Sequence, residues 1–172
     1  MLSQYLHYGL LIALAIALAF AAFTDIRERK ISNRLNLAIV LGAPLFWWAS
    51  GLSLLPEGPT VFAPTSVAFQ FVIALIVFFA CAGLNALKMM GGGDVKLLTA
   101  LALWIEPSVF LQLLIIMALA GGVLTIVMGA YHFLRRQKER LAIPYGVAIA
   151  FGGLWVLTTT YFPEAANAAV LG

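Results

Sequence analysis

Long apolar stretches separated by short polar segments dominate this sequence. They run over about residues 5–23, 35–55, 66–87, 97–105, 108–134 and 143–162. None shows the strict alternation of apolar and polar positions that strands of a membrane barrel require. A helix needs about 20 apolar residues, at a rise of about 1.5 Å each, to cross a bilayer. All but the fourth stretch reach or approach that length, so the pattern predicts helices that cross a membrane.

The basic residues test how many times the chain crosses. Glu106-Pro107 separates the short fourth stretch from the fifth, and Pro107 disfavours helix at Glu106. Basic loops lie on the cytoplasmic side of a membrane. Six crossings with both termini outside place every Lys and Arg on that side, whereas five crossings would not. The three basic clusters are Arg27, Arg29, Lys30 and Arg34; Lys88 and Lys96; and Arg135, Arg136, Lys138 and Arg140.

The composition agrees with this pattern. Of 172 residues, 63% are hydrophobic and only 10% are charged, too few to cover a soluble core. We therefore predict an all-α polytopic membrane protein with six transmembrane helices in a single domain, residues 1–172. The lone cysteine, Cys81, excludes a disulfide framework and a tetracysteine zinc site. Membrane lipid is an expected partner and nucleic acid is not, and the oligomeric state stays open.

Two aspartates lie where a cytoplasmic loop meets an apolar stretch. Asp25 ends the first stretch, and Asp94 follows the run Gly91–Gly93 before the fourth. The six-span topology puts both at the same membrane face. Ionisable side chains at membrane depth are costly, so both are candidates for function. Each also has a structural interpretation, since Asp25 could pair with Arg29 one turn on and Asp94 could cap a helix.

Two close carboxylates cannot both ionise cheaply, so one keeps a proton while the other is charged. Such a pair holds an acid and a base together, which suits hydrolysis of a peptide bond without a metal or cofactor. Gly91, Gly92 and Gly93 could let an extended substrate strand approach, or they could form a flexible turn. Two other functions remain open: a small cation or proton-coupled transporter, and a non-catalytic assembly subunit.

Three segments resemble the type IV prepilin peptidases, membrane aspartic peptidases of the G-x-G-D type. Ser32 stands in a slot that is often proline in that family. The order and positions of the segments make the resemblance specific, and it extends over nearly the whole chain. The segments are Asp25-Ile26-Arg27-Glu28-Arg29-Lys30-Ile31-Ser32-Asn33, Gly91-Gly92-Gly93-Asp94-Val95-Lys96-Leu97-Leu98 and Ile143-Pro144-Tyr145-Gly146-Val147-Ala148.

The resemblance implies an endopeptidase in the bacterial inner membrane that removes a short basic leader from prepilins or pseudopilins. It implies that Asp25 and Asp94 are the catalytic pair, acting at the cytoplasmic face beside the precursor's apolar helix. Larger family members carry a zinc-binding insertion and also N-methylate their product. The compact build here is similar to the branch that serves tight-adherence (Flp-type) pili, so N-methyltransferase activity is not expected.

Four further residues are candidates for substrate binding or loop support, beside the three glycines. Lys96 could act on an aspartate or extend to the membrane interface. Asn33 could bind substrate backbone or cap the second helix. Pro144 and Tyr145 open the last stretch, where Tyr145 could line the site or anchor at the interface.

Overall fold

The computed structural model describes residues 2–55, 66–135 and 143–163. Within these ranges the chain is helical apart from its connections and an isolated bridge between Ser53 and Ser66, so the all-α prediction is confirmed there. Arg136, Lys138 and Arg140 of the third basic cluster lie outside the described residues. The helices are α1 (Leu2–Glu28), α2 (Asn33–Ala49), α3 (Val67–Ala86), α4 (Gly92–Ala102), α5 (Pro107–Leu134) and α6 (Tyr145–Val156), which continues as a π-helical turn over Leu157–Tyr161.

Helix α2 ends earlier than its apolar pattern predicted. The expected boundary at residue 55 is wrong, because the helix stops at Ala49. Gly51 adopts a φ of +68°, and its N–H and that of Leu52 donate to the carbonyls of Trp48 and Trp47. This is the paired hydrogen bonding of a Schellman cap, which ends a helix even where apolar residues continue.

Three other boundaries differ from the prediction. Helix α1 continues past residue 23 to Glu28, so that Asp25 lies inside it. Helix α4 begins at Gly92 and not at 97, because the glycine run itself forms its first turn. Helix α6 begins at Tyr145. The predicted break at Glu106-Pro107 is confirmed, since Pro107 opens α5 at a position that needs no N–H bond.

Helices α1, α3 and α5 contain segments long and apolar enough to cross a membrane, namely Ser3–Glu28, Val67–Ala86 and Pro107–Leu134. Helix α4 differs from them. Its 11 residues extend over only about 17 Å, and Val95, Leu97, Leu98 and Leu101 are buried. Helix α4 is therefore a core element, and the six crossings remain a prediction.

Helices α4 and α6 form the centre of the bundle. Helix α4 packs against α2, α3 and α6, and α6 packs against α1, α4 and α5. Two glycines allow α6 to approach its neighbours closely. A Cβ on Gly152 would lie 2.9 Å from the carbonyl oxygen of Leu113 on α5, and one on Gly153 would lie 2.8 Å from Leu18 Cδ1 on α1.

Two tryptophans fasten α2 to the C-terminal end of α4. Trp104 Nε1 donates to the Ile39 carbonyl over 2.8 Å, and Trp47 Nε1 donates to the Leu103 carbonyl over 2.7 Å. Phe46 stacks on the Trp104 ring with centroids 5.0 Å apart. A buried indole N–H is costly without an acceptor, so these bonds hold α4 in place at the end opposite Asp94.

We expect Gly152→Ala to lower the free energy of unfolding by about 1–3 kcal/mol, because backbone atoms of α5 cannot yield to the added methyl group. The matched control is Gly122→Ala on α5, where a Cβ would meet nothing within 4 Å. Thermal unfolding in detergent, followed by tryptophan fluorescence, measures both. Equal melting temperatures for the two variants would contradict the close approach of α5 and α6.

Candidate active site

The Asp25 carboxylate lies against the N-terminus of α6. The side chain is only 6% exposed, and the backbone N–H groups of Gly146 and Val147 lie close enough to favour its charged form. The first turn of a helix has N–H groups without helical partners and the positive end of the helix dipole, so it favours a negative charge. A Cβ on Gly146 would lie 2.7 Å from Asp25 Oδ2. Only glycine permits this approach.

The Asp94 carboxylate lies against the first turn of its own helix. Gly91 is the N-cap residue of α4, and its N–H donates to Asp94. An acidic side chain three residues after the N-cap that reaches back in this way is half of a capping box. The position of Asp94 in the first turn is consistent with the capping interpretation. A Cβ on Gly91 would lie 2.7 Å from Asp94 Oδ2.

The two carboxylates share one cavity of about 320 Å³. Arg29, Lys30, Ile31 and the run Gly91–Gly93 complete its lining. Asp25 Oδ2 is buried and has no hydrogen-bond partner within the described part of the chain. No three His, Cys, Asp or Glu side chains of the described ranges come together as metal ligands would. The cavity can thus present two acidic groups to one bound molecule.

Ile31 connects the two halves of the site, and the sequence analysis did not single it out. Its side chain is 8% exposed and packs against the first turns of both α4 and α6. Its Cβ lies 3.2 Å from the Cβ position of Gly93, and its Cδ1 lies 2.9 Å from that of Gly146. An isolated apolar residue in an otherwise polar connector is a signal that could have identified it.

Asn36 is a second residue that the sequence analysis did not assign to the site. It is 4% exposed, and its Nδ2 donates to the Gly93 carbonyl over 3.3 Å. Asn33 accepts a hydrogen bond of 2.8 Å from Lys96 Nζ. Both contacts tie the start of α2 to the start of α4, which carries Asp94. The expectation that Asn33 caps α2 is wrong, because Ser32 is the N-cap and accepts from the Arg34 N–H.

The remaining predicted residues form the two helix starts. Gly92 and Gly93 are the first helical residues of α4, so the expectation of a flexible turn is wrong for them. Pro144 is the N-cap of α6 and Tyr145 is its first residue. The Tyr145 ring lies 3.5 Å from the Cβ position of Gly121, which places it against α5.

Several known proteins are similar to this chain in sequence. A model of the type IV leader peptidase family matches residues 12–126, more than half of the chain, and includes both aspartates. The chain belongs to the type IV leader peptidase family. The matched region ends before α6, so the contact of Gly146 and Val147 with Asp25 is evident only from the fold.

Individual members of the type IV leader peptidase family are more distant. The prepilin leader peptidase/N-methyltransferase of Aeromonas salmonicida (strain A449) is 26% identical over 151 residues, which are 87% of this chain and 49% of the relative. The protein of the same name from Xanthomonas campestris pv. campestris is 27% identical over 151 residues, 85% of this chain and 48% of the relative. The chain thus spans about half the length of these curated relatives. No solved structure matches it.

The pKa of Asp94 is raised from 3.8 to about 6. Burial is the larger cause, because it disfavours the charged form, and the neighbouring carboxylate of Asp25 adds repulsion. The hydrogen bond from Gly91 opposes both. The folded chain therefore binds the Asp94 proton more tightly than the unfolded chain does. This contribution to stability is complete below about pH 4 and is lost as the pH rises through about 6.

We expect Asp94→Asn to be progressively more stable than the wild type as the pH rises from 4 to 8, since asparagine cannot ionise. Melting temperatures in detergent across that range test this. Glu28→Gln is the control, because it removes an exposed carboxylate from the last turn of α1. If the Asp94→Asn and wild-type curves run parallel, Asp94 ionises without cost to the fold.

Proposed function

We propose that this chain is an intramembrane aspartic endopeptidase that removes leader peptides from prepilins, with Asp25 and Asp94 as its catalytic pair. The observation that carries the proposal is the shared cavity, into which distant segments bring two buried carboxylates. Membership of the type IV leader peptidase family supports the reaction class. The names of the relatives support prepilin as the substrate.

The surroundings of the two carboxylates suggest different roles. The start of α6 lies against Asp25, and the positive end of its dipole favours a negative charge there. The raised pKa of Asp94 favours its protonated form. Asp25 therefore acts as the base and Asp94 as the acid, although the two protons titrate as a coupled system.

Hydrolysis follows from these roles. Asp25 takes a proton from water while the water oxygen attacks the scissile carbonyl carbon, and Asp94 gives its proton to the carbonyl oxygen. The tetrahedral intermediate then collapses. The bond between carbon and nitrogen breaks, Asp25 protonates the leaving amine, and a hydroxyl proton returns to Asp94. The pair regains its starting state without any further reactant.

The other predicted residues have supporting roles in this proposal. Gly91 and Gly93 support the loop, because the absence of side chains there lets Asp94 and Ile31 lie close to the start of α4. Asn33 and Lys96 hold the start of α4 against α2. In the same way, Pro144 and Tyr145 begin the helix that faces Asp25. Gly92 lies between Gly91 and Gly93 and also lines the cavity.

The basic residues also indicate where the chain acts. The chain forms a single peptidase domain in the bacterial inner membrane with six crossings, and its cavity opens at the cytoplasmic side. Basic residues support that side, because Arg29 and Lys30 line the cavity and the positive-inside rule assigns such residues to the cytoplasm. Helices α2, α4 and α6 are shorter than an upright span, so they would cross only together with their flanking segments.

The proposal is confined to leader cleavage by a compact enzyme of the Flp type. Only residues 29–32 connect α1 to α2, which leaves no room for a folded insertion there. N-methyltransferase activity is part of the relatives' names but not of this proposal. The transporter alternative has no observation in its favour, since both aspartates lie at helix ends and contact the termini of α4 and α6.

Replacing either aspartate tests the pair. We expect Asp25→Asn and Asp94→Asn each to slow leader release from a prepilin in detergent by a factor of about 10²–10⁴, the usual contribution of a positioned acid or base. Glu28→Gln should cleave at the wild-type rate. Cleavage by both asparagine variants would refute the proposal, and aspartate-dependent ion flux in liposomes without cleavage would favour a transporter.

Gly146→Ala tests the geometry of Asp25 without changing any ionisable group. The new methyl group would overlap the carboxylate and displace it, and we expect kcat to fall about 100-fold, as for displacements of about 1 Å in other active sites. Gly83→Ala is the control, because a Cβ there meets nothing within 4 Å. Unchanged kcat in Gly146→Ala would show that the contact between α6 and Asp25 is dispensable.

A further inference from the structure

An apolar groove of about 540 Å³ runs along the outer side of the α5–α6 pair. Every side chain that lines it is apolar. The rows that form its walls stay exposed, as Leu119, Val123 and Phe151 show. The groove is therefore open to a partner, and its surface is almost entirely apolar.

The walls of the groove have the spacing of helix ridges. Leu119, Val123 and Val127 follow one another at intervals of four on α5, as do Val147, Phe151 and Trp155 on α6. The smaller side chains of Ala120 and Ala148 also line the groove and leave space between these rows. Rows at intervals of four with a furrow between them are the surface into which another helix packs.

The chemistry of the walls favours a helical occupant. A peptide in an apolar groove must satisfy its backbone hydrogen bonds internally, and a helix does so whereas an extended strand does not. The three wall positions on α6 extend for about 12 Å, from Val147 to Trp155. This length accommodates about two turns of a docked helix.

The groove begins at the candidate active site. Val147 lines the groove, and it follows Gly146, whose Cβ position lies 2.7 Å from Asp25 Oδ2. A helix lying in the groove would thus end beside Asp25, with the residue that precedes it at the cavity. A lipid acyl chain has no peptide bond to present to the two carboxylates, so this position favours a peptide over a lipid.

We propose that the α5–α6 groove binds the apolar helix of the precursor and so delivers the bond before that helix to Asp25 and Asp94. The inference rests on the proposed function, because it gives the substrate of the candidate active site a second region of contact with the protein. Binding in the groove would make α5 an element of substrate specificity. Helix α5 packs on α6, away from the carboxylates, and one of its sides faces the groove.

Filling the groove tests the inference. Ala120→Trp places a large side chain among the groove-lining residues, and Ala118→Trp places the same side chain on the exposed opposite face of α5. With a full-length prepilin in detergent, we expect Ala120→Trp to raise KM about tenfold while kcat stays within a factor of two, and Ala118→Trp to leave both unchanged. A tenfold change corresponds to about 1.4 kcal/mol of lost contact.

Three outcomes would overturn the inference. Equal KM values in both variants would show that the groove does not bind the substrate. Loss of co-purified lipid from Ala120→Trp without a change in KM would make the groove a lipid site, and a changed oligomeric state would make it an interface between copies of this chain. In all three the wild type still cleaves prepilin, so the proposed function survives.

A cross-linking measurement covers the case in which Ala120→Trp does not fold. A photoreactive phenylalanine analogue replaces Phe151 in the Asp94→Asn background, which leaves the precursor uncleaved. We expect cross-links to the apolar helix of prepilin, and none from the same analogue at Ala118. Cross-links from both positions, or from neither, would refute docking in the groove. This measurement reports binding even if the aspartates prove not to be catalytic.

Discussion

The contact between the start of α6 and the Asp25 carboxylate is the interaction on which the rest of the site depends. The buried carboxylate lies against the first turn of α6, where the N–H groups of Gly146 and Val147 and the helix dipole favour a negative charge. The contact requires a residue without a side chain at position 146 and an α6 that packs tightly on α1. Gly153 permits that packing next to Leu18. Packing in the middle of the bundle therefore determines the surroundings of Asp25 at its end.

The second carboxylate is held by an independent set of contacts. Asp94 accepts from Gly91, and the start of α4 is joined to α2 through Asn36 and through Asn33 with Lys96. At the other end of α4, two indole bonds hold the same pair of helices together. Ile31 then fills the space between the first turns of α4 and α6. The relative position of the two aspartates is thus set by several weak contacts from short elements.

The outer and central helices differ in how exposed their apolar surfaces are. This difference explains how a largely apolar fold can also hold polar groups in defined positions. Helices α3 and α5 have large exposed apolar surfaces, which a lipid environment tolerates because it is as apolar as the side chains themselves. Helix α4 is short and buried almost all round. It can carry a partly charged residue in its first turn because protein, and not lipid, surrounds it. Asp94 and the helix start that faces Asp25 thus belong to α4 and α6, which are too short to be recognised as spans by length.

The sequence by itself determined the helical class, the candidate aspartates and the break at Pro107, because these depend on hydropathy and local backbone preferences. It also identified the glycine run at Gly91–Gly93 but not its structure, since a helical first turn and a loop have the same composition there. Only the tertiary structure decided that α6 faces Asp25, that Ile31 and Asn36 belong to the site, and that α2 ends at Ala49. These features depend on contacts between residues far apart in the chain or on a single left-handed glycine, and neither leaves a periodic signal in the sequence.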